Sequence, residues 1–430
     1  MGNTVYPNGK LFDMDELSAL RECFDYVDCD HLGRRRLFFD NAGGSLRLKA
    51  ASDAFDFISR MPDASEHTNE NALYLAELEE NVKRDIMCTV FNAHGGALYP
   101  SYTASQITTE TVRIIGGYAK GTNYVTTVLE HPSAFDAVVR FAGENGCEVR
   151  VAQANVLTGG VDADAVVSLI DGDTALLCCM AASNMSGYIY PIEEICARAR
   201  EINPDIYIIV DAVQHAPHGK LDPEGIGADV MVFAPYKFFG VRGMGLAYLS
   251  DRVAGMTHAR LLGKSTTDWE MGSPATPHFA SFGKVIDYVV KLGEADMPAG
   301  TARRALFENG MKRIADHERA LLSLMLDGAG SEAGLRHRDG VHVRMDGDDL
   351  LRRDFIIGIE FDSIDCVRAS RELEKRGVVA YERSPSSIYS KRMLDAFGIG
   401  GVVRVSPLHV NTPEEIAEFL AIVGDVAKIG

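Results

Sequence analysis

The chain has no C-x-x-C pair among its eight cysteines, no long apolar run and a shortage of positive charge. Each absence removes a class of function. Scattered cysteines without paired spacing give neither a disulfide framework nor a zinc site, so no metal is expected. The longest apolar stretch, residues 174–182, falls far short of the roughly 20 residues that a membrane helix needs. The opening MGNTVYPNGK has no apolar core of a signal peptide, and Tyr6 stands where a myristoylation site would want Ser or Thr. With 61 acidic against 43 basic residues the formal net charge is -18, and such a surface repels phosphate backbones and anionic headgroups. Neither nucleic acid nor membrane is therefore expected as a partner, and a reducing cytoplasm is the expected location.

What is present reads as a soluble globular protein. At 430 residues, 46% hydrophobic and 24% charged, the chain exceeds one compact core, and two lobes are expected. From about residue 70 to 295, short apolar runs alternate with longer amphipathic ones. The runs 123–130, 148–153, 174–181, 206–213, 229–235 and 245–250 read as strands, apolar on both faces and bounded by Gly, Asn, Asp or Pro. Cys178 and Cys179, adjacent in one run, should point to opposite faces as small core side chains. Helical stretches such as HPSAFDAVVRFAGEN, DADAVVSLI and IEEICARAREI lie between the strands, which implies a mostly parallel sheet covered by helices.

Residues 300–329 read as one long helix, after which the rhythm changes to strand, helix, strands and a last helix, TPEEIAEFLAIVGDVAKI. The expected organisation is an N-terminal segment (1–45) packing on both lobes, a large domain (46–299) and a small C-terminal α+β domain (300–430).

Two residues carry the first chemical signal. Asp211 ends the run IYIIVDAV, the place where open α/β sheets present functional groups. Lys237 follows the next run, flanked by Tyr236, Phe238 and Phe239 and backed by a glycine turn. Lysine is rarely buried without cause. An acid after one strand and a lysine after the next is the arrangement that pyridoxal 5′-phosphate chemistry requires. The amine forms a Schiff base with the aldehyde and then shuttles protons at the substrate Cα, while the carboxylate keeps the pyridine nitrogen protonated. The glycines of GVRGMG do not follow the G-x-G-x-x-G order of a dinucleotide fold.

In order along the chain, FFDNAGGS, YTASQITTETV, LEHPSAFD, AASNMSG, VDAVQHAPH, VFAPYKFFGVRGMG, WEMGSPATPHFA and VVRVS together resemble the class V aminotransferases of fold type I, a family that includes the cysteine desulfurases. The resemblance implies a catalytic His131 stacked on the cofactor ring, Asn184 and Gln214 beside its phenolic oxygen, Asp211 at the pyridine nitrogen and Lys237 as the Schiff-base lysine. It places the phosphate on Ala104, Ser105 and Gln106 and, across a homodimer interface with shared active sites, on Ser273. Arg404 would clamp the α-carboxylate of a small amino-acid substrate.

Three departures stand out. The residues before the lysine read Ala234-Pro235-Tyr236 where desulfurase-like members carry Ser-x-His, so Tyr236 and Arg242 are candidates for the lost phosphate contacts. Ser105-Gln106 replaces the usual Gly-Thr. The loop at 382–401 has no cysteine to receive a persulfide, and Cys366, the nearest thiol, reads as core. The favoured reading is an aminotransferase or lyase, with side-chain recognition by the loop bearing Tyr381, Arg383, Ser384 and Tyr389. A cysteine desulfurase or selenocysteine lyase, an epimerase and a non-catalytic binding subunit stay open as alternatives.

Overall fold

A computed structural model describes residues 9–62, 69–272 and 275–429. Ser273, the expected phosphate contact across the dimer, lies outside the described residues. Seven strands form the main sheet: β1 (Ala97–Ser101), β2 (Asn123–Thr127), β3 (Glu148–Ala152), β4 (Thr174–Met180), β5 (Tyr207–Asp211), β6 (Val230–Phe233) and β7 (Gly245–Leu249). Their spatial order is β1-β7-β6-β5-β4-β2-β3. The run from β6 through β3 is parallel, while β7 pairs antiparallel with both β6 and β1. The fold is α/β with a mostly parallel, helix-covered sheet, as its alternating apolar runs require.

Every residue of β4 is buried. Cys178 packs in the cluster with Ile107, Val112 and Phe141, and Cys179 in the one with Ile195 and Val210. Neighbours on one strand therefore serve the two opposite faces of the sheet. The strand β1 was not among the expected runs. Its Pro100 breaks the strand pattern, but β1 lies at the sheet edge, where a missing N–H costs no ladder bond.

Asp211 ends its strand two residues earlier than expected because its own carboxylate turns the chain. Val213 donates its N–H to Asp211 Oδ1 at 3.0 Å, an Asx turn. The long helix spans Arg303–Asp327. Beyond it a second sheet holds β8 (Val341–Arg344), β9 (Ile357–Phe361), β10 (Tyr381–Arg383) and β11 (Val402–Val405), in the antiparallel order β8-β9-β11-β10. Its last helix, Pro413–Ala427, starts with a capping box between Thr412 and Glu415.

Several contacts tie segments outside the two sheets together beside the site. Leu37–Phe38 pairs in parallel with Val378–Val379, while Ser45 Oγ accepts the Phe239 N–H at 2.9 Å. Arg392 donates to the carbonyls of Val128 (2.6 Å) and Glu130 (2.8 Å) and stacks on Phe135. The last contact pins the small sheet's loop beside His131.

Candidate active site

The candidate residues sit at the carboxyl ends of the parallel strands, the position where open α/β sheets collect their ligands. His131 follows β2, Asn184 follows β4, Asp211 ends β5 and Lys237 follows β6. One pocket is lined by His131, Asn184, Asp211, Gln214, Tyr236 and Lys237.

Lys237 closes a short 3-10 turn, Pro235–Lys237. Two residues on, Phe239 has a φ of 60°, an uncommon conformation for an aromatic residue, held by its N–H to Ser45 Oγ. The Lys237 amine is partly buried in the pocket wall and donates to Gln214 Oε1 at 3.2 Å. Burial, and then the charge of Arg404, bring its pKa down to about 8. Asp211 is buried too, and desolvation raises its carboxyl above the usual range against the opposing pull of Val213 N–H and Lys237.

His131 has two roles in the geometry. Its Nδ1 accepts the Ser133 N–H at 3.2 Å and lies 2.7 Å from Ser133 Oγ, capping the helix Pro132–Glu144. Those bonds orient the ring against the pocket. Burial first, then the charge of Lys237, lower its pKa to about 4, so the imidazole is neutral with its proton on Nε2. Tyr389 lies over it at 5.6 Å between ring centroids.

The helix Ala104–Tyr118 begins at the same pocket, which Thr103, Ala104 and Ser105 line. Gly245 makes this start possible, because a Cβ there would stand 2.3 Å from Ala104 N. Gln106 falls elsewhere. Its N–H is taken by Thr103 Oγ1 at 3.0 Å, and its side chain lines a separate pocket with Tyr99 and Trp269. Arg242 stacks on Tyr236 at 4.0 Å, and both line the pocket near the helix start.

A second pocket opens from the first and shares His131, Asn184, Tyr236, Lys237 and Arg242 with it. Arg404 lines this outer pocket, pairs with Asp40 Oδ1 at 2.7 Å and donates to the Asn184 carbonyl at 3.1 Å. Among the loop candidates, Tyr381, Arg383 and Tyr389 line it, and Ser384 does not.

Asp40, Thr103, Ser133 and Glu130 also belong to the site without being singled out by the sequence. Glu130 immediately precedes His131, which was the available signal. It is fully buried, accepts from Thr127 Oγ1 at 2.7 Å and Met180 N at 3.1 Å, and leaves Oε2 without a partner. Burial is the main cause that lifts its pKa to about 8.

These residues fit pyridoxal phosphate. Asn184 Oδ1 is buried with no hydrogen-bond partner among the described residues, Asp211 is a buried carboxylate that feels the charge of Lys237, and a helix start with a favourable dipole faces the same pocket. Lys237, Asp211, His131, Asn184 and Gln214 could hold its ring, and Thr103, Ala104, Ser105 and Tyr236 its phosphate. No group of His, Cys, Asp or Glu among the described residues is arranged to hold a metal ion.

A family model described as aminotransferase class V matches residues 37–419. Cysteine desulfurases of Yersinia pestis (strain Pestoides F) and Yersinia pseudotuberculosis (serotype O:3, strain YPIII) are each 26% identical over 250 residues, 53% of this chain and 59% of theirs. The match thus spans little more than half the length of these relatives. Two solved structures share the fold, both with a TM-score of 0.78. A cysteine desulfurase from Thermococcus onnurineus NA1, at 18% identity, covers 98% of this chain and 99% of its own. A cysteine desulfurase from Escherichia coli, at 16%, covers 97% and 99%.

Proposed function

Because the chain belongs to the class V aminotransferase family, whose members are pyridoxal phosphate-dependent enzymes, we propose that this pocket carries out chemistry at the Cα of an amino acid. The observation that carries the proposal is the convergence of Lys237 with its lowered pKa, a buried Asp211 and Arg404 on two connected pockets. When bound, pyridoxal phosphate supplies an electron-withdrawing ring that stabilises negative charge at Cα.

The chain's own residues do the rest. Asp211 offers a fixed negative charge in a dry setting, where it acts strongly on a cationic ring nitrogen. His131, neutral and held by Ser133, presents a flat ring face without adding charge. Lys237 Nζ moves the proton at Cα, and a pKa of about 8 lets it serve as both base and acid near neutral pH. Arg404 receives the α-carboxylate through its planar fork, and Asp40 fixes the guanidinium's direction.

Among the reactions open to such a site, the names of the relatives favour cleavage of a bond in the substrate's side chain over transamination. No cysteine lines either pocket among the described residues. Cys366 is half-buried with its sulfur 3.7 Å from the Arg383 carbonyl, and burial raises its pKa. The form we propose is therefore an elimination without a protein persulfide: the Cα proton goes to Lys237, the side-chain group leaves with the electrons of its bond to Cβ, and water hydrolyses the remainder to ketoacid and ammonia. A homodimer is part of the proposal, supported by the exposed Tyr102, Leu262 and Met271, the first of them beside the phosphate turn. Sedimentation at twice the chain mass is the expected check.

The test is a titration of the holoprotein with amino acids, followed by its visible spectrum and by assay for sulfide and ketoacid. One or more amino acids should shift the spectrum. Arg404→Ala should raise KM by at least about ten-fold, the loss expected for a charge-assisted pair. An unchanged KM would assign the carboxylate to another group.

Proton balance gives a second check. The Lys237 amine must be neutral to condense with an aldehyde, and its depressed pKa makes it so above about pH 8 rather than above the ordinary lysine range. The rate at which apoprotein takes up pyridoxal phosphate should rise with pH and level off above about 8. A rate independent of pH across that region would contradict the assignment.

A further inference from the structure

Arg383 is a buried cation that the chemistry above leaves unused. It ends β10 and is 3% exposed. That strand pairs antiparallel with β11, and Tyr381 stands opposite Arg404. Side chains alternate along a strand, so Arg383 shares a face with Tyr381 and is a diagonal neighbour of Arg404, roughly 7–8 Å away along the sheet. Both arginines are among the residues that line the outer pocket.

Their partners differ. Arg404 has Asp40 at 2.7 Å. Arg383 has no carboxylate partner among the described residues: it donates to the Tyr389 carbonyl at 2.6 Å, lies 3.5 Å from the Met393 sulfur and leaves Nε buried with no partner. Burial, followed by the like charge of Arg404, lowers its pKa to about 9. Removing a cation from water and leaving it unpaired is costly, and an anion entering the pocket relieves that cost. The cofactor's phosphate is not that anion, because Thr103, Ala104 and Ser105 line only the inner pocket and Arg383 lines only the outer one.

We infer that Arg383 binds a second anionic group on the substrate, so that the enzyme selects amino acids with a negatively charged side chain over neutral ones. The inference rests on the proposed function, in which Arg404 takes the α-carboxylate. The strand pairing then sets the two anionic groups side by side, one on each arginine. Tyr389, whose carbonyl holds Arg383 and whose ring covers His131, ties the side-chain subsite to the reacting centre.

The experiment is a spectral titration of the holoprotein with aspartate, glutamate, alanine, serine and cysteine. At least one acidic amino acid should half-saturate the protein at a concentration about ten-fold or more below any neutral one, and Arg383→Gln should narrow that gap to about two-fold. Neutral amino acids that bind as tightly as acidic ones would overturn the inference while leaving the amino-acid site intact. No spectral shift with any amino acid would instead overturn the proposed function, and this inference with it. Should Arg383→Gln fail to fold, competition on the unmodified holoprotein decides the matter. Succinate should compete at about one-tenth the concentration of butyrate, and equal potency would refute a second anion site.

Discussion

Lys237→Ala is expected to abolish the visible absorbance of the holoprotein and to lower kcat by at least about 10³-fold, within the span that a positioned proton-transfer group covers. The expected size follows from the surroundings. The amine makes one hydrogen bond, to Gln214, and no other lysine lines either pocket among the described residues. No other lysine among those lining residues can replace it as the group that condenses with an aldehyde. The variant should also fold. Lys237 is partly buried at a cost in charge desolvation, which is why its pKa lies near 8, and alanine removes that cost. A melting temperature at or above that of the unmodified apoprotein is therefore expected beside the loss of turnover. Turnover within about ten-fold of normal would transfer the proton chemistry to another group.

Much of this site could be read from the sequence because strand ends are marked twice. Asp211 and Lys237 each follow an apolar run, and the two runs pair as neighbouring parallel strands, although the crossover between them carries just a four-residue helix, Pro223–Ile226. Cys178 and Cys179 were legible for the same reason, since period-two alternation fixes the face of each residue once the strand is assigned. What escaped depended on pairings distant in sequence. Asp40 meets Arg404 across 364 residues, and no local pattern announces that bond. Glu130 is buried through its fit under Thr127 and Met180, and sequence shows an acid without its depth. At the phosphate turn Ala104 and Ser105 line the inner pocket while Gln106 lines a separate one, because successive side chains of a helix project about 100° apart. Pro100 hid β1 by a true rule, that proline interrupts a ladder, whose exception at a sheet edge depends on a topology visible only in the folded chain.

Asp211→Asn is expected to separate stability from catalysis, and the two effects should have opposite signs. Its carboxyl is buried and its pKa is raised in the folded chain, mainly by desolvation. For an acid with a raised folded pKa, the unfolded chain releases its proton first. Stability of the apoprotein therefore falls as pH climbs from the ordinary carboxylate range toward the folded value, and the penalty persists at neutral pH. Asparagine has nearly the same shape, can keep the acceptor that holds Val213 N–H and carries no charge. The apoprotein should melt at the same or a higher temperature. Catalysis should move the other way, because the lost charge is the group proposed to hold the cofactor's ring nitrogen in its cationic form. Removing one preorganised electrostatic partner costs on the order of 10²–10³ in kcat. Lys237 should respond as well. Asp211 is the leading charge that raises its pKa, so the pH profile of cofactor uptake should shift below 8 in the variant. A lower melting temperature with unchanged kcat would make Asp211 a structural turn residue, held for its bond to Val213 alone. Lower kcat with an unshifted uptake profile would keep its catalytic role but remove its electrostatic coupling to Lys237.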